Sequence, residues 1–211
     1  MPLSANERHR ITARISELES RHPVQAVASV VDKSDAYPEL PWRAFALGVS
    51  LGTLALLLTV GRSLPGLPAG FWLLFPLLAG LALMAGSLIP TVARWFLFQH
   101  RAETEARQLA ETQFLAHELF ATKERCGVLL FISSFERVAL LRADRGVTEM
   151  VGGAGLRHVG ATMQAALLER GAAGAIEAGL EALDVEMQAQ AGAARAANEI
   201  AEALIEEQGH S

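Results

Sequence analysis

Acidic side chains stand where apolar strands are predicted to end, and they are the residues of this chain best suited to chemistry. Asp32 and Asp35 follow one β-branched run, and Glu136 follows another. If the two runs form neighbouring parallel strands, the three carboxylates meet at one edge of a sheet, where ligands usually bind in open α/β folds. Oxygen ligands of this kind suit Ca²⁺ or Mg²⁺, and no other cofactor is indicated. The alternative is that they are solvated turn residues, because acidic side chains are common in turns.

Three further charged residues are candidates for contact with a phosphate group or a protein partner. Arg137 comes directly after Glu136, whereas Asp144 and Arg145 are expected at the opposite edge of the sheet. An arginine can bind a phosphate through two parallel hydrogen bonds. The structural alternative makes Glu136 and Arg137 the polar ends of a strand pair, with Gly146 adopting a positive φ in the turn that leads to the next helix.

These residue types do not make up a complete catalytic constellation. A phosphatase needs a nucleophile or a metal-activated water, with positive groups around the phosphoryl oxygens. The six histidines have no metal-ligand spacing. The single cysteine, Cys126, lies near Lys123 and Arg125, which would lower its pKa, but no catalytic partner is evident. A small core residue is the simpler interpretation, so no catalytic residue is assigned.

Hydrophobic periodicity predicts an α/β domain with a small mixed sheet. Ser4 and Glu7 form a capping-box pattern that starts an amphipathic helix. A strand, a long connection, a helix and a second strand follow, which is the order of a βαβ crossover. A tight turn at Ser133 and Ser134 then leads to a third strand, and two helices separated by Gly171 complete the domain. The predicted helices are 4–21, 101–123 and 152 onward, and the predicted strands are 24–31, 127–133 and 135–144.

Two apolar runs, 44–60 and 71–92, contain no Asp, Glu, Lys or Arg. Crossing the hydrocarbon core of a bilayer takes about 20 helical residues, so the runs predict a two-helix transmembrane hairpin. Trp42, Trp72 and Trp95 lie at or near the ends of the runs, where tryptophan prefers the headgroup layer. Gly48 and Gly52 form a GxxxG face that can pack against the second run or against another copy of the chain.

The distribution of basic residues orients this hairpin. Most of the basic residues near the apolar runs lie before the first run or after the second, and only Arg62 lies in the connector between the two. Because basic residues favour the cytoplasmic side, both termini are expected in the cytoplasm. The net charge of −5 and the lack of a basic stripe with interleaved aromatic residues argue against a nucleic-acid partner. The flanking basic residues are Lys33, Arg43, Arg94, Arg101 and Arg107.

The segment 125–147, RCGVLLFISSFERVALLRADRGV, resembles the signature of the TPM-domain family. The membrane-bound bacterial branch of that family has an Arg-Thr-Gly-Val-Leu-Leu strand, a Ser-x-x-Glu-Arg turn and an Asp-Arg-Gly end. The DKSDAY segment, the two apolar runs, QFLAHELFATKER and GAAGAIEAGLEAL follow the order seen in that branch. Cys126 replaces the usual threonine and Leu156 the usual tryptophan, so no role of those two side chains is carried over.

The resemblance implies an α/β/α sandwich with an inserted transmembrane hairpin, located in the bacterial inner membrane. It does not fix an activity, because the family includes proteins with phosphatase activity, photosystem repair factors and receptor-associated proteins. We expect a binding or assembly module for an unknown membrane or cytoplasmic protein, and not an enzyme; the alternative is a divalent-metal-dependent phosphatase. The predicted organisation is 1–43 (helix and first strand), 44–60 and 71–92 (spans), 61–70 (external loop), 101–190 (rest of the domain) and 191–211 (helix or tail).

Overall fold

The computed structural model describes residues 3–60, 69–122 and 124–206, and gives only the backbone at 60, 69, 71, 72 and 190–206. The chain divides into two compact units. We call them the sheet unit (Met1–Ser34 with Glu105–Ser211) and the hairpin unit (Asp35–Thr104). Most of the predicted external loop, 61–68, and the end of the predicted tail lie outside the described residues.

The first helix of the sheet unit, α1 (Ala5–Arg21), begins with the predicted capping box. The Ser4 Oγ accepts a hydrogen bond from the backbone N–H of Glu7, and the Glu7 carboxylate accepts one from the backbone N–H of Ser4 at 2.8 Å. These two bonds satisfy backbone donors that a helix start otherwise leaves unpaired. The helix ends just before His22 and Pro23, as predicted.

Three strands form the mixed sheet: β1 (Gln25–Val31), β2 (Gly127–Ser133) and β3 (Val138–Ala143). β1 pairs with β2 in parallel, and β2 pairs with β3 in antiparallel orientation. Every residue of β2 is buried, which explains its unbroken apolar sequence. The predicted α/β class with a small mixed sheet is therefore confirmed.

The turn between β2 and β3 is longer than the sequence indicates. Residues 134–137 form it, so that β3 starts at Val138 and not at Phe135. The backbone N–H groups of Ser134 and Phe135 donate to the carbonyls of Val31 and Asp32. The chain thus continues along the end of β1 before it turns back, which removes these residues from the antiparallel pair.

Helices cover both faces of the sheet. On one face, α1 and α6 (Arg145–Glu206) pack around Val128, Leu130 and Ile132. On the other, α5 (Gln99–Ala116) and a short 3₁₀ helix (Leu119–Ala121) pack around Leu129 and Phe131. Successive residues of a strand point to opposite faces, so β2 supplies both cores.

The long helix α6 is interrupted by two glycines with positive φ, Gly152 at 76° and Gly171 at 74°. It begins at Arg145, earlier than the predicted start at Gly152. The predicted positive φ at Gly146 is wrong. Gly146 is needed for close approach instead, because a Cβ there would lie 2.4 Å from the carbonyl oxygen of Glu124 and 2.6 Å from the Sγ of Cys126.

The hairpin unit contains two apolar helices, α2 (Glu39–Val60) and α3 (Ala69–Gly86). Glycines allow their backbones to meet: a Cβ at Gly48 would lie 2.5 Å from the carbonyl oxygen of Ala79, and one at Gly80 would lie 2.6 Å from Val49. Gly52 faces Pro76 in the same way. The GxxxG face of α2 therefore packs on α3.

The second apolar run does not form one straight helix. It stops at Gly86, and the segment that contains α4 (Pro90–Ala93) and a 3₁₀ turn (Arg94–Phe96) continues at 109° to it. Pro90 occupies the first position of α4. It has no backbone N–H to donate, so it cannot extend the preceding helix α3. Within the described residues, the stretch Glu39–Thr59 is long and apolar enough to cross a membrane, and Leu73–Gly86 with Pro90–Phe96 qualifies only if the bent pair is taken as one span.

Candidate functional site

The carboxyl edge of the sheet holds a buried hydrogen-bond network built on Glu136. One carboxylate oxygen accepts the backbone N–H of Ser34 at 2.8 Å, and the other accepts the hydroxyl of Ser133. The Ser34 hydroxyl donates to the Ser133 Oγ, also at 2.8 Å. Ser133 is fully buried and Glu136 is 9% exposed. The network fastens the loop after β1 to the β2–β3 turn, and it leaves Ser133 out of reach as a nucleophile.

Asp32 and Asp35, the other two predicted metal ligands, have different surroundings. Asp32 is exposed at the end of β1, where its backbone carbonyl accepts the N–H of Phe135. Asp35 belongs to the hairpin unit, and its carboxylate accepts hydrogen bonds from the backbone of Ala36 at 2.7 Å and from Arg101 at 3.3 Å. Across the described ranges, no three His, Cys, Asp or Glu side chains are grouped so as to hold a metal ion. The metal site stays a prediction.

The opposite edge of the sheet is built around Asp144. Its carboxylate forms a two-pronged pair with Arg125, at 2.6 and 3.1 Å, and also accepts the backbone N–H of Arg145 at 2.8 Å. These contacts hold the pKa of Asp144 below its ordinary value, chiefly through the hydrogen bond from Arg125. The carboxylate is buried and fully engaged, which suits the start of α6 better than ligand binding.

The three predicted phosphate or partner contacts do not converge. Arg137 lies in the turn before β3, with its side chain exposed and its backbone carbonyl bonded to Gln164. Asp144 and Arg145 lie beyond the far end of that strand, about 20 Å away for six extended residues. Arg145 pairs with Glu149 at 2.7 Å on the helix surface. One phosphate group therefore cannot contact both arginines.

Cys126 is a core residue, as the simpler interpretation held. Its Sγ donates to the carbonyl of Glu124 at 3.2 Å. Burial raises the pKa of the thiol, and the negative charges of Glu124, Asp144 and Glu149 raise it further. The predicted lowering by neighbouring basic residues is wrong, because Arg125 is taken up by its pair with Asp144.

An unpredicted groove lies between α1 and the outer part of β1. It encloses about 430 Å³. Ile11 and Ile15 of α1 and Ala28 and Val30 of β1 form apolar walls, and Arg8 and Asp32 provide charge. The sequence contains the pattern, since the isoleucines share one helix face and the two β1 residues alternate, but that pattern alone indicates only burial in a core.

The backbone beside this groove is an open sheet edge. Gln25 donates to Cys126, and Val31 accepts from Ser134, so the odd-numbered residues of β1 face β2 and the even-numbered ones face outward. The outward N–H of Ala26 is satisfied by the Glu19 carboxylate at 2.9 Å. In the part of the chain that the structure describes, no protein group accepts the outward N–H groups of Ala28 and Val30.

Comparison with known proteins gives no relative from which a role of these residues can be transferred. No family model, no curated protein and no solved structure matches this chain.

Proposed function

We propose that this chain is an integral membrane protein that presents a TPM-like α/β domain as a binding or assembly module. The observation that carries the proposal is the apolar outer surface of α2 and α3. Only 22% of the most apolar stretch of α2 is buried, whereas the core helix of a soluble protein is mostly buried. The exposed leucines are Leu47, Leu51, Leu54, Leu57 and Leu58 on α2, and Leu73, Leu74, Leu77, Leu78 and Leu81 on α3.

Water is a poor solvent for such a surface. A soluble monomer rarely exposes a contiguous apolar patch beyond about 300–600 Å², and ten leucines on two paired helices exceed that size. Lipid tails are the matching environment, and the glycine-mediated contact at Gly48 and Gly52 is typical of helix pairs in bilayers. With the flanking basic residues, this supports an inner-membrane location with both termini in the cytoplasm.

The open edge of β1 supports the role as a binding module. Outward N–H and C=O groups at Ala28 and Val30 are a template for an extended peptide, which adds a strand by main-chain hydrogen bonds. The groove next to this edge can accept apolar side chains at alternate positions of that peptide. We therefore expect the partner to contribute a short extended segment with alternating apolar residues.

The phosphatase alternative has weaker support. Its candidate carboxylates Glu136 and Asp144 are buried and already accept hydrogen bonds, and the arginines at the two ends of β3 are far apart. A phosphatase would need a nucleophile or a cation that these residues do not bring together. Hydrolysis of a chromogenic phosphate ester by the purified protein, abolished in Glu136→Gln, would favour this alternative.

Membrane insertion is tested by fractionation. The full chain should remain in the membrane pellet after an alkaline carbonate wash and dissolve only in detergent. A variant with Leu51→Arg and Leu54→Arg on the exposed face of α2 should become extractable, because charged side chains are costly in the bilayer centre. Extraction of the unmodified chain by carbonate would contradict the proposal.

The module is tested by crosslinking in intact cells. A photoreactive residue at Thr12, in the groove, should trap a partner. The same residue at Leu168, which is exposed on α6 outside the groove, serves as the matched control and should not. The substitution Ala28→Pro should abolish the crosslink, because Pro has no N–H to donate. Equal crosslinking from both positions would argue against a specific edge site.

A further inference from the structure

The end of α3 exposes aromatic and apolar side chains where the chain bends. After Gly86 the chain turns by 109°, and the residues that follow carry Leu88, Trp95 and Phe98, exposed by 77%, 84% and 65%. A bend of this size directs the segment 88–98 across the axis of α3. Exposing such large apolar side chains to water is energetically unfavourable.

The start of α2 lies beside this segment. Arg43 donates from Nη1 to the backbone carbonyl of Phe96 at 3.1 Å, and its guanidinium lies 4.5 Å above the ring of Phe98. Trp42, the neighbour of Arg43, is 64% exposed. Trp42 and Trp95 therefore belong to the same end of the helix pair. We call Trp42, Arg43 and residues 88–98 the collar.

The collar also has a favourable charge for anionic groups. The nearby acidic side chains Asp35 and Glu39 are paired with Arg101, at 3.3 and 3.1 Å. Arg43 has no carboxylate partner in the described part of the chain. Arginines beside exposed indole rings are typical of the layer of a membrane where headgroups meet acyl chains.

We propose that the collar lies flat in the headgroup layer of a phospholipid bilayer, with Trp95 and Phe98 under the phosphates and Arg43 bound to them. The proposal rests on the membrane insertion proposed above. It explains the bend: α3, counted over all 18 residues from Ala69 to Gly86 and not only from Leu73, spans about 27 Å, close to one hydrocarbon core, so the chain leaves the core near Gly86 and then follows its surface. The sequence alone predicts one span over 71–92, kinked at Pro90.

The test uses tryptophan fluorescence in vesicles of phosphatidylcholine and phosphatidylglycerol. A variant with Trp42→Phe and Trp72→Phe keeps Trp95 as the single tryptophan. We expect blue-shifted emission, loss of quenching by aqueous acrylamide, and stronger quenching by lipids brominated near the glycerol than by lipids brominated near the chain end. The matched variant with Trp72→Phe and Trp95→Phe should report the same depth from Trp42.

Other outcomes would overturn the proposal in distinguishable ways. Full acrylamide quenching of Trp95 in a carbonate-resistant protein would refute the collar and leave the membrane proposal intact. Stronger quenching by the deep bromines would show that residues 88–98 continue the span. Protection from both quenchers that disappears on dilution would indicate a second copy of the chain over Trp95. Carbonate extraction would refute membrane insertion itself.

The arginine is tested separately. Arg43→Gln, made in the single-Trp95 background, should reduce the dependence of the blue shift on the phosphatidylglycerol fraction, because a charge that attracts phosphate is lost. Arg107→Gln changes the same charge on α5, outside the collar, and should leave this dependence unchanged. Equal effects of the two substitutions would contradict a specific role for Arg43.

Discussion

Arg125 and Asp144 form a two-pronged ion pair that joins the residues preceding β2 to the start of α6, with Nε–Oδ2 and Nη2–Oδ1 distances of 2.6 and 3.1 Å. The same carboxylate accepts the backbone N–H of Arg145, so one buried side chain performs two tasks. Substitutions can separate them. Asn can still accept a backbone hydrogen bond but carries no charge, whereas Ala removes both interactions.

We therefore predict that Asp144→Ala destabilises the protein more than Asp144→Asn. Loss of the hydrogen bond at the helix start costs about 1 kcal/mol, which only the alanine variant incurs. The measurement is denaturant unfolding in detergent. Equal destabilisation by the two variants would mean that the helix-start bond contributes nothing.

Acid should weaken the folded state through the same carboxylate. The pKa of Asp144 is lowered from its ordinary value of 3.8, so its contribution is complete above that value and is lost as the pH falls through the lower folded pKa. Asp144→Asn should therefore lose less stability between about pH 6 and pH 3 than the unmodified protein. Some loss should remain, because the pKa of Asp184 is also lowered. Burial opposes this shift, but the hydrogen bonds with His22 and Gln188 together with the charges of Arg21 and His22 exceed it. An unchanged acid profile in Asp144→Asn would contradict this prediction.

The contact between α2 and α3 should not tolerate even a methyl group at Gly48. A Cβ there would lie 2.5 Å from a backbone oxygen, which cannot move aside as a side chain can. We predict that Gly48→Ala destabilises the helix pair by about 1–3 kcal/mol, the usual cost of overpacking. Gly86→Ala is the control, since no atom of the described residues lies within 4 Å of its Cβ position. Thermal unfolding in detergent compares them, and equal melting temperatures would argue against this packing.

The break in α6 at Gly171 depends on backbone conformation. Its φ of 74° disfavours any residue with a Cβ, so Gly171→Ala should cost about 1–2 kcal/mol although no described atom lies within 4 Å of the added Cβ. Gly160→Ala, in a regular part of the same helix with equally open space, should instead stabilise by about 0.5–1 kcal/mol. A stabilising Gly171→Ala would show that the helix can run straight through this position.

Glu136 separates the structural from the metal-binding hypothesis. Because its carboxylate accepts hydrogen bonds from Ser34 and Ser133, we predict that Glu136→Gln lowers the melting temperature in the presence of a chelator. Millimolar Ca²⁺ or Mg²⁺ should leave the melting temperature of both proteins unchanged. A rise on adding Ca²⁺ that is absent from Glu136→Gln and from Asp32→Ala would instead support the metal site predicted from the sequence.

Local signals allowed much of the fold to be predicted. The capping box at Ser4 and Glu7 and the apolar run 127–133 each have one favourable conformation, and both were located correctly. The sequence does not predict the length of the β2–β3 turn, because the N–H groups of Ser134 and Phe135 bond to the end of β1, which is distant in sequence. Pro90 predicts a kink in the second apolar run, but not the 109° change of direction after Gly86, because hydropathy records how apolar a segment is and not its direction.

In the candidate sites, too, features set by local sequence are predictable and features set by contacts between distant segments are not. Glu136 was identified as an important residue of the sheet edge, but its partner Ser133 was not, because a serine inside an apolar strand gives no separate signal. The groove was missed because it exists only where α1 lies over β1, and each wall taken alone predicts a core. In the sequence Arg43 serves only as an orienting charge, because its contact with Phe98 depends on the bend.

The parallel pairing of β1 with β2 has a consequence for biosynthesis. Gln25 is in register with Gly127, so about 100 residues, including both apolar helices, must be made before the two strands can meet. At roughly 5–20 residues per second, β1 leaves the ribosome several seconds before its partner. If the hairpin inserts into a membrane as we propose, a nascent chain held up at the translocon would keep that strand unpaired for longer and expose it to chaperones and proteases. Variants that slow hairpin insertion should therefore lower the yield of the sheet unit, although they change none of its residues.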